Sequence, residues 1–366
     1  MASAVDDADD AGDALDTEGR QLLYDLVSIP SPSGEEAEAA ERLAAFFAEH
    51  DREVFVDEVG NVRAPADDSV LLTSHVDTVP GDIPVRVEHD AGDEYSPDGD
   101  AVLWGRGSVD ATGPLAAMAV AAVETGVSFA GVVGEETDSR GARFLVEDRE
   151  APDAVVNGEP SGWDGVTLGY RGFLAGTYVA TSESGHTSRP DPNAVEHAMN
   201  WWRRVEDSFE TEDYEPVFEG VTTKPVRFDG GLSADGLSME ATMDVQFRVP
   251  PEMEAADVRE RADAELDAGT VHWEEPIPPV MTSPRSEVAT AFRGAIRRAG
   301  GDPRLLRKTG TADVNLFAAA WDAPMATYGP GDSDLDHAPN ERLPLAEFDR
   351  AVDVLCAVSE RLSDPA

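Results

Sequence analysis

Apolar residues recur every three to four positions through TEGRQLLYDLVSIP, the period of a helix, until Pro30 and Pro32 stop it. SGEEAEAAERLAAFFAEHD repeats the pattern from Ser33, a residue type that caps helix starts. EVFVDEVGNVRA alternates about Gly60 and Asn61 and predicts a hairpin. Short apolar runs and helical stretches then take turns. SVLLTSHVD, SFAGVVGEE and APDAVVNGEP read as strands, and GPLAAMAVAAVETG and SRGARFLVE between them as helices. Strands and helices in alternation make a parallel or mostly parallel sheet covered by helices.

Near Tyr170 the pattern changes. GFLAGTYVATSE alternates as a strand, and AVEHAMNWWRRVEDSF follows as a helix. PVRFDGGLSADGLSMEATMDVQFRVP supplies two strands, DVRERADAEL a helix and TVHWEEP a last strand. That order, β-α-β-β-α-β, is ferredoxin-like. After Pro284, SEVATAFRGAIRRAGG resumes α/β character, and PLAEFDRAVDVLCAVSERL closes the chain with a helix. The expected fold class is α/β: a mostly parallel mixed-sheet catalytic domain over residues 17–170 and 280–366, with a ferredoxin-like α+β domain inserted over 171–279. Residues 1–16 read as an acidic, disordered arm, and Trp201 and Trp202 as core or interface residues of the inserted helix.

Composition refines this picture. Length alone, 366 residues, suggests two domains. Acidic residues outnumber basic ones 74 to 28, for a formal charge of −46, and the only lysines are Lys224 and Lys308. The apolar share is an ordinary 41%, so the chain can bury a core where a disordered one could not. Together these describe a folded protein with a strongly hydrated acidic surface, as expected in a salt-adapted cytoplasm. Such a charge argues against a nucleic-acid partner, which requires clustered Lys and Arg. A single cysteine, Cys356, rules out an internal disulfide and a cysteine-rich metal site. The start MASAVDDADDAGDALD has neither the basic nor the apolar region of a secretory signal, and no apolar run approaches a membrane span. A cytoplasmic protein is expected.

Ligands of open α/β sheets gather at the carboxyl ends of the strands. There LLTSHVDTVPG places His75 and Asp77, LWGRGSVDATGP places Asp110, VVGEETDSRG places Glu135 and Glu136, VVNGEPSG places Glu159, and GPGDSDLDHAPNE places His337. Each alone has an ordinary reading: a hydrogen-bonded His-x-Asp pair, a helix cap at Asp110, loop acids elsewhere. Their coincidence carries more. Imidazoles and carboxylates in one cluster suit zinc or a similar divalent ion, and five ligands sharing one carboxylate would hold two ions about 3.5–4 Å apart.

In order, spacing and wording these motifs resemble the M20 family of metallopeptidases and deacylases, over about residues 20–360. The resemblance implies a zinc-peptidase-like fold with an inserted lid or dimerisation domain, and two divalent ions, Zn2+ or else Co2+. It implies that His75, Asp110 and Glu159 hold one ion and that Glu136, Asp110 and His337 hold the other, with Asp110 bridging. Asp77 would hydrogen-bond the His75 imidazole and fix its tautomer. Glu135 would be the general base, and His186, in SESGHTSRP, would stabilise the developing oxyanion across a homodimer interface. Many relatives carry a lysine two residues after the bridging aspartate, where this chain has Thr112.

NGEPSGWDGVTLGYRG, KTGTADVNLFA and DHAPNERLPLAEFDRAV are most similar to the branch of that family that releases lysine or ornithine from the C-terminal glutamate of an amino-group carrier protein, LysW. This implies a late step of lysine or arginine biosynthesis, with Arg189, Arg248, Thr309, Thr311 and Asp313 as candidate substrate contacts. An acidic carrier meeting an acidic enzyme calls for a local basic patch, for which Arg171, Arg189 and Lys308 are candidates. The alternatives are a deacylase of acetylornithine, acetyl-lysine or succinyl-diaminopimelate, and a non-catalytic metal-binding or regulatory protein.

Overall fold

The computed structural model describes residues 14–89, 95, 99–186, 188, 190–210 and 216–364. Most of the expected acidic arm, residues 1–13, lies outside them, as does Arg189. The chain divides into two compact units. One runs up to Leu168 and includes Thr282–Leu306 and the chain from Leu316 on; the other comprises Gly169–Met281 and Arg307–Asn315.

In the first unit a mixed sheet runs, from its edge, through Phe55–Val56, Val62–Ala64, Val127–Val132, Asp67–His75, Val155–Gly158, Met325–Thr327 and the strand that begins at Gly165. The four central strands, from Val127–Val132 to Met325–Thr327, are mutually parallel, and the flanking pairs are antiparallel. Val127–Val132 and Val155–Gly158 are buried along their whole length, which is why neither shows a regular polar alternation. Alternation along Val70–His75 sends Val70 and Leu72 into a core with Leu115, Met118, Phe348 and Leu355. His75 consequently leaves the strand end on the opposite face, with Thr73.

The helix Thr112–Thr125 is apolar nearly all round and buried along most of its length. Glu18–Val27 begins at Thr17, whose hydroxyl accepts the Arg20 amide. The next helix does not begin at Ser33 as its sequence suggests. It spans Ala37–Glu49, with Glu36 at the cap position and no side-chain cap bond, and Ser33 donates to the Asp77 carboxylate instead, at 2.6 Å.

A small antiparallel sheet, unforeseen from the sequence, joins Arg342–Pro344 to Val102–Trp104 and the latter to Arg86–Glu88. Each of these strands is three residues long, too short to show an alternating pattern of its own.

In the second unit four antiparallel strands lie in the order Thr222–Leu232, Ser238–Val249, Gly172–Glu183, Thr270–Trp273. The helices Ala194–Phe209 and Ala255–Ala264 complete a β-α-β-β-α-β sequence. Asn193 caps the first helix in a reciprocal box with Glu196. Trp201 is wholly buried, stacks on Tyr178 at 4.7 Å and donates its indole N–H to the Ala262 carbonyl at 3.0 Å. It is a core residue. Among the described residues no helix is long and apolar enough to cross a membrane.

Candidate metal centre

Parallel strands deliver His75, Glu135, Glu136 and Glu159 to one place in the first unit, and two loops bring Asp110 and His337 to it. His75 is the last residue of its strand, and Glu159 directly follows Val155–Gly158, the neighbouring strand. Glu135 and Glu136 lie just beyond Val127–Val132, on the other side of the His75 strand. Gly134 turns the chain there with φ +79°, a left-handed conformation that glycine adopts without strain. Asp110 sits two residues before the helix Thr112–Thr125, and His337 lies in the loop ahead of Arg342–Pro344. His337 has φ +61°, which costs a residue with a Cβ roughly 1–2 kcal/mol. Strain of that kind is characteristic of functional sites.

Ligand atoms of His75, Asp110 and Glu159 all lie within 4.8 Å of one another, and so do those of Asp110, Glu136 and His337. The two oxygens of Asp110 face different imidazoles: Oδ1 is 3.3 Å from His75 Nε2, and Oδ2 is 3.1 Å from His337 Nε2. Glu136 is also 3.1 Å from His337 Nε2. Asp110 therefore stands between two three-residue groups. Glu135 belongs to neither.

Electrostatically the cluster demands positive charge. Burial opposes protonation of His75, yet the Asp110 hydrogen bond and the charges of Glu159, Glu135 and Asp110 raise it well above an ordinary imidazole. His337 is raised to about 9, chiefly by its hydrogen bond to Asp110, against burial and with help from Glu136. Asp110 is lowered despite its burial, by hydrogen bonds from His337 and His75. Burial raises Glu136. Nitrogen and carboxylate donors with no thiolate, carrying an unmet demand for cations, fit divalent ions of the zinc type.

Asp77 is placed differently from expectation. His75 Nδ1 bonds the main-chain carbonyl of Asp77 at 2.8 Å, with the carboxylate 3.7 Å away. That carboxylate instead accepts the amides of Glu135 at 3.0 Å and Glu136 at 3.1 Å, and the Ser33 hydroxyl. A carbonyl can only accept, so the tautomer is still set, with the His75 hydrogen on Nδ1 and Nε2 left as the donor atom. Ser33 carries no sequence signal for this contact.

The remaining candidates lie in the second unit. His186 is exposed, and its Nδ1 accepts the Ser188 amide at 3.2 Å. Arg248 lies 4.8 Å over the Phe173 ring and donates to Thr311 at 3.1 Å. Asp313 is buried, and the Thr309 carbonyl accepts from Arg171 at 2.9 Å. Arg171 does not belong to a surface patch: it is buried, its guanidinium bonded to the carbonyls of Thr309, Val217 and Gly220 and the hydroxyl of Thr222.

A mostly parallel sheet whose strand ends converge on two imidazoles and three carboxylates is the framework of a metal-dependent hydrolase. Comparison with known proteins narrows this class. The family Peptidase family M20/M25/M40 matches residues 71–361, and the chain belongs to it. A LysW-lysine hydrolase of Deinococcus radiodurans is 40% identical, over 94% of this chain and 96% of its own. A LysW-lysine/LysW-ornithine hydrolase of Sulfurisphaera tokodaii is 29% identical, over 90% of this chain and 91% of its own. Among solved structures, an M20 family metallo-carboxypeptidase of Sulfolobus solfataricus superposes with a TM-score of 0.75 at 18% identity, over 95% of this chain and 99% of the other.

Proposed function

We propose that this M20 hydrolase releases lysine, ornithine or both from the C-terminal glutamate of a LysW-type carrier protein. The observation that carries the catalytic part is Asp110, with one oxygen toward His75 and the other toward His337. The carrier comes from the relatives' names and their near full-length match. On this reading His75, Asp110 and Glu159 hold one divalent ion, and Asp110, Glu136 and His337 hold a second. Zinc suits these donors best, and cobalt also. When bound, such ions polarise a carbonyl and lower the pKa of water.

Glu135 takes a proton from the water that attacks the amide carbonyl and hands it to the leaving α-amine as the C–N bond breaks. Membership of neither ligand group supports this role. Asp77, accepting both amides, fixes where the two glutamates start, so that one side chain can hold an ion while the other moves a proton. His186 of a second copy of the chain donates to the oxyanion. Because the Ser188 amide can only donate to Nδ1, a neutral ring carries its hydrogen on Nε2, the form this task requires.

The protein acts as a homodimer through the second unit. In support, the edge strand Thr222–Leu232 is largely exposed and presents Val226 (53%), Phe228 (41%) and Leu232 (62%), an edge that a second copy can pair with. Two acidic partners can still meet in concentrated salt, where the Debye length falls to about 3 Å at 1 M.

The test is a substrate panel in high salt with zinc or cobalt: carrier–lysine, carrier–ornithine, acetylornithine and succinyl-diaminopimelate. Turnover of carrier conjugates is expected. Turnover of the free acyl amino acids alone would replace this reading with the deacylase one.

A further inference from the structure

Arg106 and Glu341 lie in the loops that carry Asp110 and His337, yet belong to neither ligand group. Glu341 is wholly buried, and both its oxygens are engaged. Oε1 accepts the amides of Val109 at 2.9 Å and Asp110 at 3.0 Å, and Oε2 accepts Arg106 Nη1 at 2.7 Å. Arg106 also donates to the Ala338 carbonyl at 3.3 Å, and the Gly105 amide to the Glu341 carbonyl at 3.3 Å. Strand pairing of Arg342 with Trp104 brings the two loops side by side. The clamp then locks them.

A buried ion pair is a poor source of stability, since well-packed apolar residues often do as well. Orientation explains this one better. The two amides that Glu341 accepts lead directly into the Asp110 Cα, so they set the direction in which its carboxylate points. The clamped loops supply Asp110 and His337, two of the three members of one ligand group. His75 and Glu159, of the other group, sit on strand ends outside the clamp.

We infer that Glu341, held by Arg106, is a positioning residue that fixes Asp110 between the two ligand groups and sets the ion affinity of the group containing His337. This rests on the two-ion reading above. Outer partners of ligands typically contribute about 10–100-fold in metal affinity.

The experiment strips metal from the protein and from Glu341→Gln, then titrates each with cobalt, following calorimetric heat and the visible spectrum. Wild type should take up two ions. The variant should bind the ion of the group containing His337 about 10–100-fold more weakly. The ion of the other group, which draws only Asp110 from the clamped loops, should weaken by a smaller factor, with an altered spectrum for the more weakened equivalent. At saturating metal its kcat should fall with KM unchanged. Should Glu341→Gln fail to fold, Arg106→Lys keeps the charge, loses the forked donor, and should weaken the same equivalent most. Unchanged affinity for the ion of the His337 group overturns the inference, and so does equal weakening of both ions, which a merely structural role would produce. Fewer than two ions on wild type overturns the two-ion reading and this inference with it.

Discussion

Loading the centre with metal should expel protons. In the metal-free protein His337 is raised to about 9, because Asp110 accepts its hydrogen bond and Glu136 adds charge, against the resistance of burial. A ligand imidazole must be neutral, so each ion bound here has to displace that proton. A group of pKa about 9 is about 99% protonated at pH 7, which depresses apparent affinity roughly 100-fold below its alkaline limit. The imidazole side chain is 52% exposed, and solvent screening makes that factor a ceiling. His75, raised as well, adds a proton for the other ion.

The stability consequence has a definite sign. Because the folded pKa of His337 lies above the unfolded value, protonation stabilises the metal-free fold fully below about pH 6.5, and this is lost as pH rises through about 9. Bound metal reverses the trend, since rising pH then strengthens binding. The assay is calorimetric titration of metal-free protein at pH 6, 7 and 8 in buffers of different ionisation enthalpy. Apparent affinity should rise up to about tenfold per pH unit, with buffer-dependent heats reporting proton release. Equal affinities at all three pH values, with heats independent of buffer, would refute the electrostatic account.

Other outcomes follow from single residues. Glu135→Gln should keep both metal equivalents while losing about 10²–10⁴-fold in kcat, whereas Glu136→Gln should lose metal from the His337 group; metal analysis beside initial rates separates them. Gly107→Ala places a Cβ 2.7 Å from Thr112 Oγ1 and Thr78 Cγ2 at φ +82°, and should cost about 1–3 kcal/mol in a denaturant titration; an unchanged midpoint would contradict the local geometry. Phe228→Glu, on the exposed edge strand, should turn a dimer into a monomer by light scattering, and an unaltered dimer would move the interface elsewhere. With a formal charge of −46, melting temperature should fall as KCl is withdrawn, and full stability at very low salt would remove the salt-adapted reading.

Much of the fold was legible because its signals are local. The helical period in TEGRQLLYDLV, the apolar runs ending at His75 and Gly158, and the switch to alternation after Tyr170 are each carried by neighbouring residues. The short strands Val102–Trp104 and Arg342–Pro344 were not legible. Arg342–Pro344 becomes a strand by pairing with Val102–Trp104, more than two hundred positions away in sequence, and Val102–Trp104 also pairs with Arg86–Glu88.

At the centre the same division holds. Residue types, their order and their place at strand ends determined the candidate donors, because a parallel sheet aims the ends of its strands in one direction. Tertiary structure alone decided how those donors are held. Ser33 looks like a cap and instead serves Asp77; Asp77 offers His75 its carbonyl and keeps its carboxylate for the amides of Glu135 and Glu136; Glu341 reaches back to Val109 and Asp110; Arg171 turns inward. Polar side chains of this kind have several possible partners at similar energy. Which one they take depends on which distant backbone the fold brings within about 3 Å, a short-range choice that sequence neighbours do not encode.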